Sequence, residues 1–246
     1  MSFCELFQIF AVYEIPDMHK IFWIVALILA LGCDRTKNII PEYTENIFPN
    51  EEGKFRIYFV GDTSYNTQGV DFPISDVFFK KEQLGGTEVD LNDRTVRRVE
   101  VFRSPESAGT NYEFSFDRLW TQYVQPVEGA NYFAERTEDN QRFVKLQFPV
   151  FPGVRWNTNQ FNNQPSLIHT YQSIDTTVTV RGVTYENCVM VLIKARRKEP
   201  FTDEFSYEIY APEIGLIKKY DRNLLFNEST GDGFNSAESY IYYEEI

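Results

Sequence analysis

Residues 173–193, SIDTTVTV followed by RG followed by VTYENCVMVLI, decide the fold. Val178 and Val180 fall on one side of an extended chain, and Val189, Val191 and Ile193 repeat the same two-residue period beyond the turn. Arg181-Gly182 is a short turn in which glycine accepts a positive φ, so Ser173–Val180 and Thr184–Ile193 are predicted to pair as a hairpin. Neighbouring strands joined this tightly run antiparallel.

The same period recurs along the chain, in Phe55, Ile57 and Phe59; Val99 and Val101; Tyr112, Phe114 and Phe116; Val144, Leu146 and Phe148; Phe205, Tyr207 and Ile209; and Tyr240 and Tyr242. Turn residues punctuate these runs, among them Gly85-Gly86, Asn92-Asp93, Pro212 with Gly215, and Gly231-Asp232-Gly233. A second hairpin is predicted to join Tyr132–Thr137 with Phe143–Phe148 across Glu138–Gln141. The 22 Phe and 15 Tyr suit pleated, half-buried surfaces, and nothing beyond residue 50 shows a four-turn helical stripe. The expected fold is all-β, one domain over residues 51–246 built as a strongly curved antiparallel sheet. Alternation does not decide between a sandwich and a partly closed barrel.

Upstream, Met18-His19-Lys20 precedes the apolar run Ile21–Leu31, which Gly32-Cys33 closes. Ile21–Gly32 reaches roughly 18 Å as a helix against about 30 Å of hydrocarbon, too short to span a bilayer and suited to a secretory signal. Leu29–Cys33 resembles the lipobox of bacterial lipoproteins, with Ala30 where leucine is usual. That resemblance implies cleavage between Gly32 and Cys33, lipidation of the Cys33 thiol, and attachment to the membrane through the lipid. Residues 18–32 are then the signal peptide and 33–50 the lipidated cysteine with a Pro- and Asn-bearing linker. Residues 1–17 hold Glu5, Glu14 and Asp17 but no Lys or Arg, which places the expected start at Met18; an amphipathic Phe3–Tyr13 segment is the alternative.

The chain has 24 basic and 36 acidic residues, and a net charge of −12 disfavours nucleic acid as a partner. After the signal only Cys188 and His169 remain of their kinds, apart from the lipidated Cys33. That excludes a disulfide framework and the usual zinc sets, and Cys188, among apolar neighbours, reads as a buried inert thiol. No Gly-x-Ser-x-Gly accompanies His169, and no phosphate-cradling glycine loop occurs. Asp90-Leu91-Asn92-Asp93 starts like a calcium loop, but Arg94 and Thr95 spoil it, leaving a hairpin turn. Neither a cofactor nor a metal nor a catalytic residue is expected.

Trp156-Asn157-Thr158-Asn159-Gln160-Phe161 mixes flat rings with amides, so Trp156, Asn157, Asn159 and Phe161 are the candidate ligand-binding residues. The competing interpretation is a polar loop with Trp156 folded over the core edge. Asn227–Asn235 is a weaker candidate loop. Phe148–Trp156, Thr177–Cys188 and Tyr210–Lys219 together resemble uncharacterised envelope lipoproteins of Bacteroidetes, which implies a β-rich lipoprotein domain and no activity. The expected role is non-catalytic binding or assembly at the cell envelope, on the outer membrane facing the periplasm, with an envelope protein, glycan or lipid as ligand. The alternatives are a carrier that shelters an apolar molecule inside the curved sheet and a hydrolase working through two carboxylates.

Overall fold

A computed structural model describes residues 45–64, 74–106, 112–125, 132–199, 202–225 and 239–245. The signal segment, Cys33 and the Asn227–Asn235 loop lie outside the described residues.

The strands are β1 (Phe55–Ser64), β2 (Ile74–Val89), β3 (Thr95–Pro105), β4 (Ser115–Val124), β5 (Tyr132–Glu138) and β6 (Gln141–Phe148). They continue as β7 (Arg155–Asn157), β8 (Ile168–Val180), β9 (Val183–Glu199), β10 (Thr202–Ala211), β11 (Gly215–Leu225) and β12 (Ser239–Glu245). All twelve form one antiparallel sheet in the order β6-β5-β4-β3-β2-β1-β12-β11-β10-β9-β8-β7. Its two edge strands are therefore consecutive in the chain, while β1 and β12 meet at its centre, Tyr58 opposite Glu245 and Ser64 opposite Ser239.

The edges also meet each other. Val144 of β6 donates its N–H to the carbonyl of Thr158 at 2.9 Å, and its own carbonyl accepts from Trp156 Nε1 (3.0 Å) and Thr158 Oγ1 (2.9 Å). These bonds satisfy backbone groups that an open edge would leave bare. Of the two expected architectures, the chain adopts the partly closed barrel.

Both predicted hairpins form, each on a two-residue turn with positive φ at both positions: Asp139 (48°) with Asn140 (63°), and Arg181 (46°) with Gly182 (86°). That is the mirror-image turn whose twist matches paired strands. The strands run longer than predicted, because alternation marks only their apolar stretches. Three register shifts between β8 and β9 bend the second hairpin, with Asp175 and Asn187 at positive φ.

Two cores result. Ile47, Phe48, Ala134, Leu146, Phe148, Trp156, Tyr171, Val189, Val191 and Tyr210 pack together in one. Val180 and Cys188 of the bent hairpin pack on Ile209, Ala211 and Ile217 in the other. Because Ile209 and Ala211 alternate along β10 with Glu208 and Tyr210, the outer half of the hairpin covers the opposite face of the sheet. Burial holds the Cys188 thiol above its ordinary pKa, in keeping with an inert role. Residues 45–50 correct the linker boundary: Ile47 and Phe48 are core residues, so the domain begins before residue 51.

Candidate functional site

One face of the rolled sheet is lined with charge. On β1 and β2 the side chains turned to it include Arg56, Tyr58, Lys80 and Glu82, all buried. Glu82 Oε1 accepts from Lys80 Nζ at 2.7 Å, and its Oε2 accepts from Arg136 Nη1 at 2.9 Å. Arg136 Nη2 donates to Gln122 Oε1, and Gln122 Nε2 donates in turn to the carbonyl of Pro49 and to Asn50 Oδ1. Burial pushes the Glu82 carboxyl upward, but Arg136, Lys80 and Arg56 outweigh it and hold the group well below the usual carboxylate range. Both Glu82 oxygens are taken up by partners within the cluster, Arg136 Nε alone of its guanidinium nitrogens is left without one, and Gln122 clamps the incoming chain at Pro49-Asn50.

A second charged group adjoins the first. Glu208, 2% exposed, accepts from the Tyr210 hydroxyl at 2.7 Å through Oε2. Its Oε1 lies 3.8 Å from Lys145 Nζ and 3.9 Å from Lys219 Nζ, and Lys145 Nζ lies 3.5 Å from Glu138 Oε1. Burial works against the Glu208 charge, but Lys145 and Lys219 overcome it and lower its pKa to about 2. Glu138 is lowered as well, burial again being outweighed, here chiefly by Lys145 and Arg136. Both carboxylates are ionised at neutral pH. A bulge between the pairings of Ala134 and Glu135 shifts β6 against β5 next to Lys145.

These four residues line a cavity of about 590 Å³, within the range of about 300–1,000 Å³ typical of small-molecule sites. Phe143 and Ile193 supply apolar wall, and Gln141, Thr158, Asn159, Gln164 and Ser166 supply hydroxyls and amides. A smaller recess of about 50 Å³ shares the four charged residues and leads towards Glu82 and Arg136. His169, 4% exposed, also lines the larger cavity. Its Nδ1 has no hydrogen-bond partner, its ring stands edge-on to Trp156 at 5.6 Å, and burial lowers its pKa to about 4, so it is neutral at physiological pH.

The four predicted ligand residues separate. Trp156 is only 4% exposed and spends its indole N–H on Val144, which corrects its reading as a stacking platform: it closes the seam. Asn157 Oδ1 accepts from the backbone N–H groups of Asn159 and Leu167 and shapes the loop. Asn159 does line the cavity, with Nδ2 donating to the Pro165 carbonyl. Phe161 is exposed, under the Arg142 guanidinium at 4.4 Å. Thr158, Asn159 and Gln164 of this loop form one wall of the cavity, whose charged floor comes from β5, β6, β10 and β11.

Arg94 occupies the Asp90 carboxylate through both backbone and guanidinium, as a hairpin turn there requires. Among the described residues no group of three or more metal-ligating side chains occurs, and no helix is long and apolar enough to cross a membrane.

No family model and no curated protein matches the chain. Among solved structures, a Bacteroides fragilis protein thought to be exported and described as having a YmcC-like fold is similar at 13% identity, over 80% of this chain and 95% of its own, with a TM-score of 0.31.

Proposed function

We propose that the chain is an extracytoplasmic lipoprotein, tethered through Cys33 to the outer membrane, whose β-body binds a polar ligand and performs no chemistry on it. The observation that carries the binding role is the cavity of about 590 Å³ floored by Glu138, Lys145, Glu208 and Lys219. Four ionised groups inside a protein are costly unless paired, and lining a cavity with them disfavours an apolar cargo, which would strip their remaining solvation. A carboxylate-pair hydrolase needs one acid to keep its proton at working pH, whereas lysines hold both Glu138 and Glu208 ionised. The tether rests on the lipobox-like Leu29–Cys33 and the short apolar run before it.

Two measurements test this. Wild-type protein expressed in a lipoprotein-processing bacterium should enter the detergent phase on cloud-point partitioning, and Cys33→Ser should remain in the aqueous phase; equal partitioning would remove the tether. The apolar fluorophore N-phenyl-1-naphthylamine should gain no blue-shifted emission from Cys33→Ser protein. Saturable enhancement would favour the apolar-carrier alternative.

A further inference from the structure

We propose that the ligand of this cavity is a short neutral saccharide, its hydroxyls donating to Glu208 Oε1 and His169 Nδ1 and accepting from the Lys145 and Lys219 ammonium groups. We rest this on the reading of the cavity as a polar-ligand site and name its ligand class.

The starting point is what the cavity leaves unmet. Glu208 Oε1 is close enough to both lysines for Coulomb attraction, yet 3.8 and 3.9 Å exceed hydrogen-bond length, and it accepts no hydrogen bond. His169 Nδ1, in a side chain 4% exposed on the same wall, also has no partner. A carboxylate oxygen can only accept, and His169 Nδ1 accepts when the ring proton sits on Nε2, so the wall suits a ligand that brings O–H or N–H groups.

Charge balance selects among such ligands. The lining carries Lys145 and Lys219 against Glu138, Glu208 and Asp221, with His169 neutral. A phosphate or carboxylate would meet a surface of net negative charge. A metal or polyamine would meet two ammonium groups, and a zwitterion would have to pull Lys145 or Lys219 away from Glu208. A hydroxyl does neither: it is donor and acceptor at once and bridges carboxylate to ammonium without separating the pair. Phe143 offers an apolar wall to a sugar's C–H face, and the rim pair Gln164 Nε2 to Gln141 Oε1, at 3.2 Å, offers amides that can be re-donated.

The test is isothermal titration of the full-length lipoprotein in a sugar-free polyoxyethylene detergent with maltose, cellobiose, chitobiose and mannobiose, and in parallel with glycylglycine and inorganic phosphate. At least one disaccharide should bind with a submillimolar Kd that changes less than about two-fold between 50 and 500 mM NaCl, since no net charge is exchanged. Glu208→Gln should weaken that binding by about ten-fold or more. If Glu208→Gln loses its native circular dichroism, Gln141→Ala with Gln164→Ala on the exposed rim replaces it, with an expected loss of about three-fold. Failure of all four disaccharides while glycylglycine or phosphate binds would overturn the saccharide and leave the polar cavity standing. Failure of every probe would overturn both.

Discussion

The Arg181 guanidinium, at the tip of the β8–β9 hairpin, lies 4.7 Å from the centre of the Phe59 ring on β1. The hairpin therefore reaches over the outside of the sheet as far as its central strand, and its apolar half is fastened by Val180 and Cys188 on Ile209, Ala211 and Ile217. Arg181→Ala should cost only about 0.5–1 kcal/mol, the worth of an exposed cation–π contact. Ile217→Ala, which opens a hole under the flap, should cost about 2–5 kcal/mol. Urea unfolding of both variants measures the difference, and equal costs would mean that the flap is not held by its core.

Cys188 gives a second reading of the same flap. Its side chain is buried and burial raises its pKa, so the thiolate is scarce and inaccessible in the native state. In Cys33→Ser protein also carrying Cys4→Ser, an aromatic disulfide reagent should label Cys188 only as fast as the flap or the whole domain opens. Ile217→Ala should raise that rate. Immediate stoichiometric labelling of the folded protein would contradict the packing described.

Alternation revealed the strands but not which face is the inside. Phe55, Ile57 and Phe59 have the period of a buried stripe, yet Phe55 is 58% exposed while Arg56, Tyr58 and Val60 are buried. On β10, Phe205 and Tyr207 are only half-buried while Ser206, Glu208 and Tyr210 are buried, and Ile209 is buried on the outer face beneath the flap. Period two separates two faces without naming either. The usual assignment of apolar to inside fails here because charged groups cancel one another across the interior, Glu82 with Arg136 and Lys80, Glu208 with Lys145 and Lys219. The pairs Glu82–Arg136 and Glu208–Lys145 join strands distant in sequence, and no local pattern records them. The hairpins, by contrast, were legible because Arg181-Gly182 and Asp139-Asn140 are local backbone requirements. The amide-rich composition of the Asn157–Gln164 loop is visible in the sequence, but the charged residues it meets across the cavity lie on strands far from it in the chain.

The Glu82–Arg136 pair should behave as a buried ion pair, dangerous to break on one side. Arg136→Met leaves the Glu82 carboxylate with Lys80 as its one hydrogen-bond donor and strips Gln122 Oε1 of its partner, so a loss of about 3–5 kcal/mol is expected. Combining it with Glu82→Gln removes the stranded charge and keeps an acceptor for Lys80, and should restore more than half of the loss. A double-mutant cycle by chemical denaturation checks this, and additive losses would show that the two groups do not act as a pair.

Trp156 and Thr158 close the seam between β6 and β7 through the Val144 carbonyl. Trp156→Phe keeps most of the apolar bulk and deletes one of the two side-chain bonds, for an expected cost of about 1–2 kcal/mol. Amide exchange should quicken at Val144, whose N–H bonds across the seam, while amides at the centre of the β1–β2 pair stay protected up to the global stability. Uniform acceleration would mean that the seam opens only with the whole domain.

Acid should unfold the protein in two stages that a single substitution separates. His169 has its pKa lowered from 6.5 to about 4 by burial, so between those values the unfolded chain binds a proton that the folded one refuses, and stability falls as pH drops through that interval. Glu208 is lowered from 4.5 to about 2, burial being outweighed by Lys145 and Lys219, so its contribution is present above about 4.5 and lost on further acidification. Both act in the same direction, but only the histidine operates above pH 5. His169→Gln should therefore flatten the stability profile between pH 6.5 and 5, removing a fall of no more than about 2 kcal/mol over that interval, and leave the steeper fall below pH 4.5 in place. Urea midpoints at half-unit steps of pH measure this. A wild-type profile already flat from pH 7 to 5 would place the His169 ring in contact with solvent rather than against Trp156 and the cavity wall.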